Sequence, residues 1–379
     1  MSDLRIRPVE DRRDLRRFVT MPRHIYADDP HWVAPLTFER MQHLDERRNP
    51  FLRGIDLRYW LAFRGDRCVG RISAQINRRH LERYGDATGN FGFLEAEDDP
   101  EVFAALLETA EADLRARGMR RIRGPFNPSI NDECGLLIEG FDTGPSMMMG
   151  HARPYYRPRL EALGYRKAKD LIAYDFAVRG AWPPRVAGML ERVRKNREIR
   201  VRPLEMRRYR EEIATICRIF NDAWADNWGF IPFGEEEAHY LAHSIRPLVD
   251  ANCFAIGELG GEPVAMCVTL PNLNEAIRGL DGRILPFGWA VLLWRLRVRG
   301  LRSWRMPLMG VSRRFHRTRH GAALALLVID ALRAYHARRG VERAELSWVL
   351  EDNRPVRDLI EGIGGVPYKT YRIFEKSLT

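Results

Sequence analysis

The chain has 379 residues, 45% of them hydrophobic and 30% charged, with a formal net charge of +11. That length exceeds one ordinary domain and predicts two domains or two fused repeats around real hydrophobic cores. No run reaches the roughly 18 apolar residues that span a bilayer, and residues 1–18 lack the apolar core of a signal peptide. Five cysteines, Cys68, Cys134, Cys217, Cys253 and Cys267, show no CxxC pairing and no histidine at metal spacing. They read as free thiols of a reducing compartment, so a cytoplasmic location is expected and no metal. The basic balance suits nucleic acid, an anionic membrane or a phosphate-rich cofactor, or it reflects an arginine-rich composition alone. No helix-turn-helix, zinc-finger or RNP pattern accompanies it, so nucleic acid is not expected as a partner.

In chain order, alternating apolar residues on both sides of Arg64-Gly65-Asp66 predict a hairpin over 59–74. An acidic stretch follows, Phe93-Leu94-Glu95-Ala96-Glu97-Asp98-Asp99-Pro100-Glu101. A helix over 102–117 is stopped by Gly118 and leads into a strand over 121–124. After the unusual run Phe126 to Asp142 and three adjacent methionines, Met147 to Met149, a short helix ends at Gly164 and a strand closes over 171–174. Three adjacent methionines suit an irregular apolar core, or a lipid pocket.

The same landmarks then recur. A hairpin over 253–269 turns at Gly260-Gly261, a helix over 322–339 stops at Gly340 before a strand over 344–349, and a short helix ends at Gly364 before a strand over 371–374. Two α/β repeats are therefore expected, over 1–180 and 195–379. The offsets between landmarks are unequal, which places a surplus in the second repeat within 274–307 and another in the first after its matching strand. The second repeat's surplus runs from Ile284 through Trp289 and Trp294 into Arg295, Arg297, Arg299, Arg302 and Arg305. Apolar and tryptophan residues followed by arginines suit an anionic membrane interface, or the wall of an acyl-chain tunnel. An ordinary buried helix with a solvated basic end is the remaining alternative.

Between the strand Met306 to Val311 and the helix from Ala322 lies Ser312-Arg313-Arg314-Phe315-His316-Arg317-Thr318-Arg319-His320-Gly321. A strand, a basic loop and a helix opened by small residues make an anion-binding construction. The first-turn N–H groups have no helical partners, and the helix dipole adds about half a positive charge. The acidic stretch at the matching place in the first repeat carries five carboxylates that would repel a pyrophosphate. One repeat is expected to hold phosphates and the other to be structural.

These residues resemble the GNAT-type N-acyltransferases. Thr318-Arg319-His320-Gly321-Ala322-Ala323 matches the family's Q/R-x-x-G-x-G/A loop, with threonine at its first position. Asn353-Arg354-Pro355-Val356, running on to Leu359 and Gly364-Gly365, is similar to its second motif. Ile360 stands where many members carry a tyrosine, the leaving-group acid. The run Phe126 to Asp142 is similar to a segment of tandem GNAT proteins that include bacterial ceramide synthases. The resemblance implies an α/β (α+β) fold of two tandem GNAT-like repeats, each a mixed, mainly antiparallel sheet flanked by helices.

It further implies that backbone N–H groups at Met309-Gly310-Val311 hold a thioester oxygen. An acyl-CoA would be bound by those residues with Arg313, Arg314, Arg317, Thr318, Arg319, His320, Gly321, Ala322, Ala323 and Asn353. Acyl transfer to an amine needs a neutral nucleophile, a polarised carbonyl and a proton for the thiolate. No Ser-His-Asp or Cys-His order recommends a covalent route, so direct attack is expected. Glu133 is the candidate base, with Asp132 as its substitute; His316 and His320 have the chemistry for proton transfer or for binding phosphate. Tyr368 or Tyr371 would replace the missing acid, Tyr371 being the better candidate for core packing. Asn127, Asn131, Trp289 and Trp294 are candidate substrate contacts. The expected function is transfer of a fatty acyl chain to an amine such as that of a sphingoid base, with peripheral contact to an anionic inner membrane. The alternatives are acetylation of a small soluble amine and a non-catalytic acyl-CoA or membrane-binding module.

Overall fold

The computed structural model describes residues 3–379. The chain forms two compact units, neither a single stretch: the first holds residues up to Leu171, Ala276–Trp294 and Lys369–Thr379, the second Ile172–Glu275 and Arg295–Tyr368.

The first unit starts with β1 (Leu4–Pro8), then the hairpin β2 (Ile55–Arg64) and β3 (Arg67–Asn77), β4 (Thr88–Ala96) and β5 (Arg121–Gly124). They lie side by side in that order, antiparallel except for the parallel pair β4 and β5. A parallel pair needs a crossover, and helix Pro100–Ala116 supplies it. Its Val102, Phe103, Leu106, Leu107, Ala110 and Leu114 recur at helical spacing and are all buried. A two-stranded ribbon follows, β6 (Phe126–Asn127) with β7 (Glu133–Cys134), then β8 (Leu136–Glu139), helix Tyr156–Ala162 and β9 (Arg166–Ala177).

The second unit repeats the plan with β10 (Ile199–Arg202), the hairpin β11 (Phe254–Leu259) and β12 (Glu262–Pro271), β13 (Ser303–Val311), β14 (Arg343–Leu350) and β15 (Val366–Ser377). The ladder from β10 to β13 is antiparallel, and β13 runs parallel to β14. Helix Arg319–Arg338 is the crossover; its Leu324, Val328 and Leu332 join Ala255, Val264, Leu346 and Ile360 in one core. The expected repeats over 1–180 and 195–379 follow element order, whereas the compact units divide their last strands. β9 changes unit after Leu171, and β15 does so after Tyr368. From Lys369 onward β15 pairs with β5 and β8, and Arg372 clasps Asp170 at 2.8 and 2.9 Å. Tyr371 is completely buried there, as core packing requires.

Both parallel pairs are short. β4 meets β5 only from Thr88 to Asn90, and β13 meets β14 only from Ser303 to Met306. Close to each parting, the antiparallel ladder on the other side slips register, between Arg71 and Ser73 and between Val268 and Leu270. Such bulges add local twist, which carries the neighbouring strands apart. The surplus of the second repeat forms helices Leu273–Ile277 and Gly288–Trp294 and a π-helical turn, Arg295–Arg299. No residue of Gly288–Trp294 is buried, so the reading of this stretch as an ordinary buried helix is corrected.

In the first unit the ribbon enters the parting so tightly that a Cβ at Gly92 would stand 1.8 Å from the Phe126 carbonyl oxygen. Backbone cannot yield as a flexible side chain does. Gly92→Ala is therefore expected to cost about 3 kcal/mol or more, as overpacking against fixed backbone does. Urea denaturation reads this directly, and an unchanged midpoint would show that the ribbon is not wedged there.

Candidate active site

In the second unit, Ser312 N–H donates to Val264 O at 2.8 Å, continuing the β12 ladder. Antiparallel ladders alternate sides, so Gly310 also faces β12 while Met309 and Val311 face the side where β14 has parted. Two side chains report this orientation. Trp224 Nε1 donates to Met309 O at 3.0 Å, and His316 Nε2 donates to Val311 O at 2.7 Å. The N–H groups of Met309 and Val311 point the same way as their carbonyls. Two such donors at a strand parting can hold a carbonyl oxygen on which charge develops. Gly310 lets the end of helix Tyr209–Ala223 come close, since a Cβ there would be 2.8 Å from that of Ala223.

The loop beyond β13 closes into the crossover helix. Thr318 is its N-cap: Oγ1 accepts from Gly321 N–H at 3.0 Å and donates to Phe315 O at 2.8 Å. Gly321 must be glycine, because a Cβ would lie 2.1 Å from Phe315 O. The threonine in place of the family's Gln or Arg thus acts as a cap, and the N–H groups of Arg319 and His320 remain at the helix start. The four arginines divide into two pairs. Arg313 is held by Asp222 (3.2 Å) and Asp226 (3.3 Å), and Arg314 by Glu262 (2.5 Å). Arg317 and Arg319 are exposed and make no ion pair among the described residues. His320 reaches only to 4.0 Å of Glu198, Ala322 is exposed and Ala323 is buried under the loop. Asn353 caps helix Arg354–Gly362, its Oδ1 accepting from Val356 N–H at 3.4 Å. The loop therefore fits a pyrophosphate, with Arg317 and Arg319 as the uncommitted counter-charges.

The same places in the first unit are occupied by its own groups. Phe93 N–H is taken by Asn127 Oδ1 at 2.6 Å, Asn127 Nδ2 donates to Glu133 Oε1 at 2.7 Å, and Gln75 Nε2 ties down Phe126 O and Pro128 O. Both ends of the Asn127 amide are engaged within the unit, a structural task alongside the expected substrate contact. Asn131 N–H likewise turns inward, to Ser129 Oγ at 3.2 Å. At the helix start Asp99 is the cap, accepting from Glu101 N–H at 2.9 Å, with Pro100 next.

The expected repulsion by five carboxylates needs correction. Glu97 is paired with His24 and Arg67, Asp98 with Arg159, and Asp99 and Glu101 with Arg64. Glu95 is not in the loop at all but in β4. The Asp99 carboxylate already sits on a helix N–H group that a phosphate would need.

Among the proton-transfer candidates, Glu133 keeps Oε2 clear of any hydrogen bond among the described residues. Asp132 is committed, accepting from Ser129 Oγ at 2.6 Å and lying 3.6 Å from His43 Nε2. Burial pushes the Asp132 carboxyl up and the His43 imidazole down, so both lean to their neutral forms. His316 turns Nε2 to the Val311 carbonyl, where it can only donate. Tyr368 Oη donates to the buried carboxylate of Glu345, in a network with Ser347 and Arg305 beneath the parting of β13 and β14. Ile360 is 1% exposed in the core, so no acid stands at that position. Trp289 and Trp294, the other substrate candidates, are about half exposed.

Sequence reasoning did not single out His43, or Glu95 as a buried acid; nothing local distinguishes a histidine in a seven-residue helix or one glutamate in an acidic run. Glu95 Oε2 accepts from Tyr26 Oη (2.8 Å) and Tyr156 Oη (2.7 Å), with Arg71 3.7 Å from Oε1. Its side chain is 13% exposed, and burial raises the carboxyl from 4.5 to about 7. A carboxyl that holds its proton longer folded than unfolded makes the fold less stable as pH climbs between those two values. The whole step is roughly 3 kcal/mol. Glu95→Gln keeps the shape without the titration, so its thermal midpoint should gain on the wild type across that window. A pH-independent difference would show that Glu95 titrates normally.

No known protein-family profile matches the chain. Protein YghO of Escherichia coli K12 is 44% identical over 374 residues, covering 98% of this chain and 95% of YghO. The bacterial ceramide synthase of Caulobacter vibrioides is 44% identical over 378 residues, covering 100% of this chain and 98% of that protein. Among solved structures, a tandem GNAT protein from the clavulanic acid biosynthesis pathway superposes with a TM-score of 0.59 at 12% identity, over 99% of each chain. A GCN5-related N-acetyltransferase from Sphaerobacter thermophilus gives 0.55 at 14%, over 100% of this chain and 96% of its own. At those identities the solved structures speak for the fold, and the full-length relatives carry the family. The chain belongs to the family of the bacterial ceramide synthase, and it is an N-acyltransferase with the fold of the tandem GNAT proteins.

Proposed function

We propose that this N-acyltransferase moves a fatty acyl chain from acyl-CoA to the primary amine of a sphingoid base. The observation that carries the reading is end-to-end identity of 44% with a protein named as a bacterial ceramide synthase. The exposed apolar segment around Trp289 adds support, since a small polar amine would not require it.

In this reading the pyrophosphate sits on the N–H groups of Arg319 and His320, countered by Arg317 and Arg319, with Asn353 as a further contact. Arg313 and Arg314 shape the loop through their acidic partners. The thioester oxygen is held by the N–H groups of Met309 and Val311. The neutral amine attacks the carbonyl carbon, the C–S bond breaks, and the amide forms without a covalent enzyme intermediate. Glu133 takes the surplus amine proton, and Tyr368, once its hydroxyl turns away from Glu345, gives one to the leaving thiolate. His316 steadies the strand end at Val311. The enzyme works on the cytoplasmic side, next to a membrane that supplies a tailed acceptor.

Thiol release with sphinganine as acceptor, comparing palmitoyl-CoA with acetyl-CoA, tests the reading. Turnover with the long chain and an N-acyl sphinganine product is expected. Glu133→Gln should lower kcat by about 100-fold, and Tyr368→Phe by a similar factor, with KM for acyl-CoA little changed. Arg317→Ala with Arg319→Ala should instead raise that KM about tenfold, as loss of charge-assisted phosphate contacts does. Turnover of acetyl-CoA on polar amines alone would overturn the acceptor assignment. Acyl-CoA binding without any turnover would overturn the catalytic roles.

A further inference from the structure

Large exposed apolar side chains are not scattered over this protein. Among the described residues six of the twelve fall between Leu285 and Val298: Leu285, Phe287, Trp289, Leu293, Trp294 and Val298 are 49–75% exposed. Five of these belong to the first unit, whose helix Gly288–Trp294 buries none of its residues. Phe38, 48% exposed, stands beside them, because its neighbour Thr37 donates its N–H to Gly282 O at 3.0 Å. Contiguous exposed apolar surface of this kind marks an interaction site.

The charges next to it select the partner. Arg23 donates to Thr37 Oγ1 at 2.5 Å, and its guanidinium presses on Gly282, where a Cβ would be 2.3 Å from Nη2. Its pKa is lowered by burial and then by Arg283 and Arg16, so three like charges share this spot, with Asp281 as the opposing group. Exposed Arg297 and Arg299 follow Trp294 along the chain. A second copy docking through the same face would bring these arginines against their own images, a repulsive arrangement. Anionic lipid headgroups satisfy both parts of the surface: tryptophan and phenylalanine settle at the headgroup boundary while arginines meet phosphates.

We infer that the surface formed by Phe38 and Leu285–Trp294, rimmed by Arg16, Arg23 and Arg283, docks the protein on an anionic bilayer. The inference stands on surface chemistry alone and is read by binding without turnover, so its failure is distinguishable from failure of the acceptor assignment. The full chain is sedimented with vesicles of phosphatidylcholine alone and of phosphatidylcholine mixed with phosphatidylglycerol. Sedimentation with the anionic vesicles and not the neutral ones is expected, weakening with salt. Phe287→Ser with Trp289→Ser, and separately Arg16→Gln with Arg283→Gln, should each lower the partition at least about tenfold at an unchanged thermal midpoint. Binding that ignores lipid charge, or persists in both variants, overturns the inference. So does a concentration-dependent dimer that the apolar variant abolishes, which would make a second copy the occupant.

Discussion

When two parallel strands part, the backbone groups on their facing edges lose their ladder, and buried N–H groups must find partners elsewhere. That requirement organises both units of this protein. β4 leaves β5 after Asn90, and β13 leaves β14 after Met306. In the first unit the answer is internal: a ribbon is wedged against Gly92 and the Asn127 side chain takes the Phe93 N–H. In the second unit, among the described residues, side chains engage only the carbonyls, with Trp224 on Met309 and His316 on Val311. The matching N–H groups face the parting, which is what a thioester carbonyl requires of an oxyanion site.

The crossover helices follow the same division. Asp99 places a carboxylate on the first helix's N–H groups, and Arg64 neutralises it from behind. Thr318 caps the second helix with a neutral hydroxyl that takes only the Gly321 N–H. The dipole and the adjacent N–H groups of that helix thus keep their capacity for an anion. Through a few side chains, one architecture yields a self-satisfied half and a half whose helix start stays open to an anion. The buried acid Glu95 and the Asn127–Glu133 pair show how many polar groups the first half holds internally.

Much of the fold was legible because its punctuation is local. Glycines after helices, the hairpin turns and the helical spacing of Leu106, Ala110 and Leu114 are short-range signals, and the repeat makes each visible twice. The basic loop between β13 and its helix was legible for the same reason. The division of β9 and β15 between units was not, because ladder partners more than a hundred residues apart leave no mark on either strand. Nor could sequence tell that Arg313 and Arg314 are bound to Asp222 and Glu262 while Arg317 and Arg319 are not, since those partners come from distant segments. Five acidic residues within seven positions suggested repulsion; their arginine partners and the burial of Glu95 are properties of packing. The stretch around Trp289 has the composition of a buried helix and only its solvent exposure reveals the difference.

The two halves differ in what fills their strand partings and helix starts, so one chain should take one CoA thioester. Isothermal titration of the full chain with a non-transferable acyl-CoA thioether tests it most directly. One site per chain is expected, lost when Gly321→Val forces the loop off the helix start against Phe315. Two sites per chain, or a site that survives Gly321→Val, would contradict it by showing that the first half accepts the cofactor despite Asn127 and Asp99.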